Sequence, residues 1–298
     1  MTLISKLLPT TVVGSYPVSG KKGLLSLDPL KHAVEVAVAD QVAAGIDIIS
    51  DGQVRGDMVQ AFTSRLPGIK GQSVVGRVMP PAKPLTVADT KYAISKHPKV
   101  KGILTGPSTL AHALKIETPI YRNREELVLD LASALAVEAR NLEAAGVILL
   151  QIDEPILSTG AADLAVGRQA VNAIVSSLRI PTALHVCGGV GAVIDDILKA
   201  NVSVFDFEFA VNPGNLEVLS KKDLRGRLVG YGCVDSSSPG IESVETIRAR
   251  IEEGIDIFGA RAMLLDPDCG LRMQTREAAF GKLKNMVAAA AELRTEYA

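Results

Sequence analysis

The sequence predicts an α/β fold, a (β/α)8 TIM barrel with an insertion after the second strand, and three observations support this prediction. Eight short segments are apolar and rich in β-branched residues, as buried parallel strands are. Longer segments between several of them carry apolar residues at i, i+3, i+4 and i+7, the period of an amphipathic helix. Polar residues follow the strands at their C-terminal ends, where barrel enzymes carry their active sites. A doubly wound sheet is the alternative, although no GxGxxG motif follows the first strand.

The predicted strands are short apolar runs that end near a glycine or a polar residue. They cover residues 11–14, 46–49, 102–104, 147–152, 182–186, 202–207, 228–231 and 262–265. Helical periodicity extends over residues 30–44, 124–145, 162–178 and 244–258. The Gly- and Pro-rich stretch 66–85 does not fit this repeat and predicts an insertion with a hairpin over residues 73–78, either a lid or docking loop or a surface hairpin without function. We expect one domain over residues 1–298.

The composition is that of an ordinary globular protein, with 47% hydrophobic and 22% charged residues. A net charge of −1 and the lack of basic runs argue against a nucleic-acid partner. No segment reaches the roughly 18 apolar residues of a membrane helix, and the first residues, MTLISKLLPTT, do not have the pattern of a secretory signal. Three cysteines are too few for a disulfide scaffold. We therefore expect a cytoplasmic protein whose thiols are available for a metal or for catalysis.

Four candidate metal ligands lie at the ends of three predicted strands. His185 and Cys187 are two residues apart on a strand, so both side chains point to one side of the sheet and can reach one ion. Cys269 follows the eighth strand, and closure of a barrel would bring it near the other strand ends. Glu208 ends the sixth strand among phenylalanines, where a carboxylate needs a partner, a proton or a metal. One imidazole, two thiolates and one carboxylate suit zinc, although a buried core also accommodates His185 and Cys187.

Other strand ends carry candidates for substrate binding. Asp153 and Glu154 are adjacent and cannot both face inward, so we assign Asp153 to the site and Glu154 to a structural anchor. A salt bridge at the rim of the barrel is the alternative for either carboxylate. Ser15 and Gln53 are candidates only because they follow predicted strands.

Two further residues could carry chemistry. Cys233 has no ligand partner at short spacing, so a small apolar barrel residue is the favoured interpretation. His112 follows the polar segment 105–109 and is a candidate without an assigned role.

The order and spacing of these residues resemble the catalytic barrel of cobalamin-independent methionine synthases, most of all the short single-domain form of archaea and some anaerobic bacteria. The shared motifs are TTVVGSYP at 10–17, DGQ at 51–53, LTGP at 104–107, IDEP at 152–155, HVC at 185–187, Glu208, and PDCG at 267–270. The resemblance covers nearly the whole chain. It implies a zinc-dependent homocysteine S-methyltransferase that forms methionine.

The resemblance also implies which residues form the site. The family's zinc ligands fall at His185, Cys187, Glu208 and Cys269. Its homocysteine-binding residues fall at Ser15, for the carboxylate, and at Asp153, for the amino group. Zinc would convert the thiol, whose ordinary pKa is about 8.5, into a thiolate nucleophile, and Asp153 would be the catalytic residue that orients the amino acid. Gln53 stands where the family has a glutamate that helps to hold the amine, so Asp51 is a further substrate-binding candidate.

Three differences from the folate-dependent members predict a methylcorrinoid donor, either methylcobalamin or a methylated corrinoid iron-sulfur protein as partner. A methyl group on N5 of a folate leaves well only when that nitrogen is protonated, yet Ser237 stands at the family's proton-donating histidine. The sequence has no Trp to stack on a pterin, and we expect no N-terminal barrel of the kind that the long members have. A methyl–cobalt bond needs no such proton.

The alternatives are other activities on a similar barrel. A methyltetrahydrofolate-dependent synthase would take its proton from His112 or from a water. A uroporphyrinogen decarboxylase-like or coenzyme M-type thiol methyltransferase would share the His-x-Cys pair and a later cysteine. A zinc-dependent metabolite-binding barrel would have no turnover.

Overall fold

Strands and helices alternate along the chain in the computed structural model, which describes residues 6–18, 28 and 30–297. Residues 1–5, part of the segment inspected for a secretory signal, lie outside the described residues. The strands are Ile69–Lys70 (β1), Ser73–Val74 (β2), Lys101–Thr105 (β3), Lys115–Ile116 (β4), Leu149–Asp153 (β5), Thr182–Val186 (β6), Val204–Glu208 (β7), Leu228–Val234 (β8) and Met263–Pro267 (β9). Six of them form one parallel sheet in the order β3-β5-β6-β7-β8-β9. This sheet confirms the predicted α/β fold class.

The helices follow the periodicity of the sequence and carry recognisable end signals. The α-helices are Lys31–Ala44 (α1), Gln60–Thr63 (α2), Val87–Lys96 (α3), Pro107–Ala113 (α4), Arg124–Ala145 (α5), Leu164–Val175 (α6), Ile194–Ile197 (α7), Gly214–Ser220 (α8), Val244–Phe258 (α9) and Arg276–Glu296 (α10). Two 3₁₀ helices cover Pro155–Thr159 and Ala260–Ala262. The Asn123 side chain caps α5 by accepting a hydrogen bond from the backbone N–H of Glu126, and Ser243 caps α9 in the same way. None of the described helices combines the length and apolar composition that a membrane crossing requires.

The first two predicted strands do not form, and isolated bridges lie at residue 10, just before the first, and at residue 49 in the second. Thr10 forms a parallel bridge with Leu265, and Ile49 forms one with Val100. The carboxylate of Asp47 accepts hydrogen bonds from both the backbone N–H and the hydroxyl of Thr10, at 2.9 and 3.1 Å. The side chain of Asp47 thus occupies the backbone donor of Thr10, one residue before the predicted strand 11–14, and that range holds no strand in the structure.

The predicted insertion holds a hairpin, but four residues earlier than the sequence suggests. β1 and β2 pair in antiparallel register, with Ile69 opposite Val74 and Lys70 opposite Ser73. Gly71, at φ 58°, allows the two-residue turn between them. β2 then pairs in parallel with β4, so the hairpin is part of a small sheet and does not extend to residue 78.

The chain divides into two compact units. In the unit that comprises Met1–Arg55, Tyr92–Val100 and Asp206–Ala298, α9 and α10 pack together beside β8 and β9. Tyr231 and Phe209 stack in its core, with ring centroids 4.4 Å apart.

The second unit comprises Gly56–Lys91 and Lys101–Phe205. Its strands β3, β5 and β6 are adjacent and parallel, and α5 packs against α4 and α6. All five residues of each of these strands are buried, which is typical of a parallel sheet with both faces covered.

Candidate metal and substrate site

The C-terminal end of β6 carries the His-x-Cys pair. His185 is only 1% exposed, whereas Cys187, immediately after the strand, is half-buried. The chain turns away at Gly188, whose φ of 84° lies in the left-handed region. The ligand atoms of His185 and Cys187 lie within 4.8 Å of each other, which agrees with the common direction that their spacing predicts.

Cys269 and Glu208 are connected through Asp268. This buried carboxylate accepts hydrogen bonds from three successive backbone N–H groups that follow Glu208, those of Phe209, Ala210 and Val211, at 2.9, 2.9 and 2.7 Å. Burial raises the pKa of Asp268 to about 7, although the three N–H groups lower it. The negative charge of Glu208 adds to the increase. Asp268, which directly precedes Cys269, thereby connects this proposed ligand to the segment that follows Glu208.

Sequence reasoning gave Asp268 no role, although its position before Cys269 was a signal. Gly232 is the residue that admits this carboxylate, because a β-carbon there would lie 2.5 Å from Asp268 Oδ1. Glu208 also accepts hydrogen bonds from two asparagines that follow it closely in the sequence. Its Oε2 accepts a hydrogen bond from Asn212 Nδ2 at 2.5 Å, and its backbone carbonyl accepts one from Asn215 at 2.8 Å.

His185, Cys187 and Cys269 form a candidate metal site. Each offers one ligand atom, and these three atoms all lie within 4.8 Å of one another. All three cysteines of the chain belong to the described residues and are thiols. An imidazole nitrogen with two thiolates is a donor set that zinc prefers. Glu208 lies outside this group of three within the described residues, so its role as a fourth ligand stays a prediction.

Ser15 lies directly against the segment that follows Cys269. Its backbone carbonyl accepts a hydrogen bond from the N–H of Leu271 at 2.8 Å. A β-carbon on Gly270 would be 2.0 Å from Ser15 Oγ, so only glycine leaves room for the hydroxyl there. The backbone thus places the predicted carboxylate-binding residue beside a candidate metal ligand.

Asp51 and Gln53 form a strained turn in the same unit. Gly52 and Gln53 have φ values of 82° and 45°, in the left-handed region that most side chains avoid. The carboxylate of Asp51 accepts a hydrogen bond from the N–H of Gln53 at 2.9 Å, and Arg272 donates to the Gln53 carbonyl at 3.1 Å. These contacts hold Gln53 in an unfavourable conformation, a pattern common at functional sites.

Asp153 and Glu154 point to different surroundings. Asp153 is 7% exposed, lies level with His185 in the sheet and accepts a hydrogen bond from Gln151 Nε2 at 2.7 Å. Glu154 is fully buried and accepts hydrogen bonds from the backbone N–H groups of Ser108 and Thr109, both at 2.8 Å, in the first turn of α4. Burial raises the pKa of Glu154 to about 7 despite these bonds. Glu154 therefore anchors the start of α4, whereas the role of Asp153 in substrate binding stays a prediction.

The remaining candidates have structural partners. Cys233 is fully buried, burial raises the pKa of its thiol, and its Sγ donates to the carbonyl of Asp266 at 3.5 Å. The two ring nitrogens of His112 lie 2.8 and 3.0 Å from the backbone carbonyls of Ser108 and Ala161. Ser237 donates its hydroxyl hydrogen bond to Asp235 at 2.6 Å.

Comparison with known proteins identifies the kind of protein that the chain matches. Residues 8–292 match the family model described as the catalytic domain of cobalamin-independent synthases. The methionine synthase of Methanothermobacter marburgensis is 46% identical over 95% of this chain and 99% of its own, and that of Methanocaldococcus jannaschii is 46% identical over 94% and 97%. A B12-independent methionine synthase from Shewanella sp. W3-18-1, solved in complex with selenomethionine, superposes with a TM-score of 0.83 at 26% identity, covering 97% and 98%.

The family match overturns the corrinoid partner expected from the sequence. The matched family is cobalamin-independent, so the prediction of methylcobalamin or a methylated corrinoid protein is wrong. That prediction relied on three absences, among them the histidine that Ser237 replaces and the Trp that the sequence lacks. Such absences do not create a surface that recognises a corrin.

Proposed function

Because the chain belongs to the family of cobalamin-independent methionine synthases, which methylate homocysteine to methionine, we propose that it is a zinc enzyme with a methyltetrahydrofolate donor. The observation that carries the zinc assignment is the group formed by His185, Cys187 and Cys269, whose ligand atoms lie within 4.8 Å of one another. Glu208 would complete the ligand set. The single domain expected over residues 1–298 would act as one methyltransferase barrel, and its thiols suit the reducing cytoplasm.

The residues of the candidate site fit the metal and its substrate. When bound, zinc would supply a thiolate at neutral pH, since coordination removes the proton of a thiol. Asp153 would accept the ammonium group of homocysteine, and the hydroxyl of Ser15 would donate to its carboxylate. Asp51 and Gln53 would complete the polar lining. Fixing both ends of the amino acid sets the direction of the sulfur before reaction.

The methyl transfer forms a carbon–sulfur bond and breaks the carbon–N5 bond of the donor. The sulfur supplies the electron pair, and N5 keeps the pair of the broken bond and takes up a proton. His112 is poorly suited to give this proton, because its two nitrogens already face backbone carbonyls. Ser237 is held by Asp235, and a neutral hydroxyl is a weak acid. We therefore assign the proton to solvent.

Two features of relatives support methionine as the product. The curated relatives at 46% identity are methionine synthases, and the Shewanella synthase binds selenomethionine, in which selenium replaces the sulfur of methionine. The match to the synthase family also argues against the coenzyme M-type alternative.

The test is a product assay with the zinc-loaded full chain. Homocysteine is incubated with methyltetrahydrofolate, and separately with methylcobalamin as the comparison donor, while methionine and bound zinc are measured. We expect methionine from methyltetrahydrofolate, little product after zinc removal, and a strong loss in the isosteric Asp153→Asn variant. Product from methylcobalamin alone would overturn the donor, and no product from either would overturn the activity.

A further inference from the structure

A buried lysine lies at the start of β3. Lys101 is only 2% exposed. An ammonium group loses its hydration on burial and is stable only where polar groups replace the water. Its Nζ donates a hydrogen bond to Oε1 of Gln151, a residue that is 1% exposed. The mechanism above uses neither of these residues.

The lysine determines which way the amide of Gln151 points. An ammonium group only donates hydrogen bonds, so the oxygen of the amide must face Lys101 and the NH₂ group must face away. That NH₂ group donates to Oδ1 of Asp153 at 2.7 Å. Lys101 thus settles an amide orientation that is otherwise ambiguous.

The three residues form a line along neighbouring strands. In the register of β3 with β5, Lys101 is opposite Leu149 and Thr105 is opposite Asp153. Gln151 therefore lies between the levels of Lys101 and Asp153. Asp153 is opposite His185 in the register of β5 with β6. The line leads from the base of the strands to the level of the proposed ligand His185.

We propose that Lys101 is a positioning residue for homocysteine, which acts through Gln151 to orient the carboxylate of Asp153 toward the amino group of the substrate. The inference rests on the proposed function, in which Asp153 binds that amino group. A hydrogen bond to Oδ1 sets the plane of the carboxylate, and a buried charge behind the amide keeps this bond in place. The site is then organised before the substrate arrives, which lowers the cost of binding.

The test uses substitutions by methionine, which keeps the length of both side chains but removes their polar ends. Zinc-loaded Lys101→Met, Gln151→Met and the double variant are compared with the wild type. Calorimetry measures the Kd of homocysteine and of 4-mercaptobutanoate, the same thiol without the amino group. Lys282→Met is the matched control, because Lys282 is also fully buried and donates to a backbone carbonyl, that of Asp235, at 2.7 Å. Zinc content and Tm are recorded for every variant.

We expect each single variant to weaken homocysteine binding about tenfold, with unchanged binding of 4-mercaptobutanoate and unchanged zinc content. The double variant should bind homocysteine no more weakly than Gln151→Met, because Lys101 acts through Gln151. If Lys101→Met does not fold, Gln151→Met alone still tests the selective loss. Additive losses, or equal weakening of both thiols, would overturn the proposal. A wild type that binds both thiols equally would instead contradict the role of Asp153 in the proposed function.

Discussion

Gly270 and Ser15 are packed so closely that a β-carbon on Gly270 would lie 2.0 Å from the Ser15 hydroxyl oxygen. The N–H of Leu271 holds the backbone carbonyl of Ser15 at 2.8 Å from the same side. Because Gly270 directly follows Cys269, the space left by its missing side chain brings a predicted substrate contact next to a candidate metal ligand. The glycine thus shapes the candidate site even though it offers no functional group.

Gly270→Ala should therefore weaken homocysteine binding without removing zinc. The added methyl group must displace the Ser15 hydroxyl, and the loss of one hydrogen bond to a charged carboxylate corresponds to a roughly tenfold increase in KM. Steady-state kinetics with zinc analysis measures both quantities. Gly214→Ala is the control, since a β-carbon there would meet nothing within 4 Å. A Gly270→Ala enzyme with wild-type KM would show that Ser15 does not bind the substrate.

Replacement of either candidate thiolate should remove the metal. Cys187→Ser and Cys269→Ser exchange an ionisable soft ligand for a hydroxyl, which zinc rarely accepts, so bound zinc and methionine formation should fall together. Cys233→Ser is the matched control, because its buried thiol contacts the Asp266 carbonyl and a hydroxyl can do the same. Zinc per chain is measured by elemental analysis. Full zinc and activity in Cys269→Ser would show that the ligand assignment is wrong.

Asn212 should matter for metal affinity although it is not a proposed ligand. Its Nδ2 holds one oxygen of Glu208 at 2.5 Å and so orients the other oxygen. Losing a residue that orients a metal ligand lowers metal affinity about 10- to 100-fold. We expect a loss of this size in the zinc affinity of Asn212→Ala, measured by competition with a chelator. Asn285→Ala removes a similar donor, which binds the carbonyl of Glu242 at 2.7 Å, and should leave the affinity unchanged. Equal affinities in the two variants would argue against Glu208 as a ligand.

The pH dependence of stability should report Glu154. Burial raises its pKa from an ordinary 4.5 to about 7 in the folded protein. The folded state therefore holds this proton more tightly than the unfolded chain, and the resulting stability is present below pH 4.5 and lost as the pH rises to about 7. A shift of this size corresponds to roughly 3 kcal/mol.

Glu154→Gln, which does not titrate, isolates this contribution. Urea unfolding of the wild type and the variant between pH 5 and pH 8 gives the difference in their free energies of unfolding at each pH. This difference should change by an amount on the order of 3 kcal/mol over the range. We expect the wild type to lose stability relative to the variant as the pH rises. A constant difference would show that the carboxylate keeps one protonation state throughout the range.

The sequence by itself determined the features that depend on neighbouring residues. The limits of α5 and α9 coincide with the ranges 124–145 and 244–258 that apolar periodicity predicts. The limits of β6 and the common direction of His185 and Cys187 follow from the two-residue period of a strand. These signals are local, so they can be read without knowledge of the fold.

Only the tertiary structure decided the features that depend on distant residues. Asp47, 37 residues away, accepts the hydrogen bond of the Thr10 backbone N–H, just before a predicted strand that does not form. Asp268 reaches the N–H groups after Glu208 across 57 to 59 residues, and Glu154 finds its partners 45 and 46 residues earlier. Which of two adjacent carboxylates anchors a helix depends on which buried donors surround each one. Those donors come from other parts of the chain, because folding pairs most buried polar groups with whatever the fold brings near them, and no local pattern records that pairing.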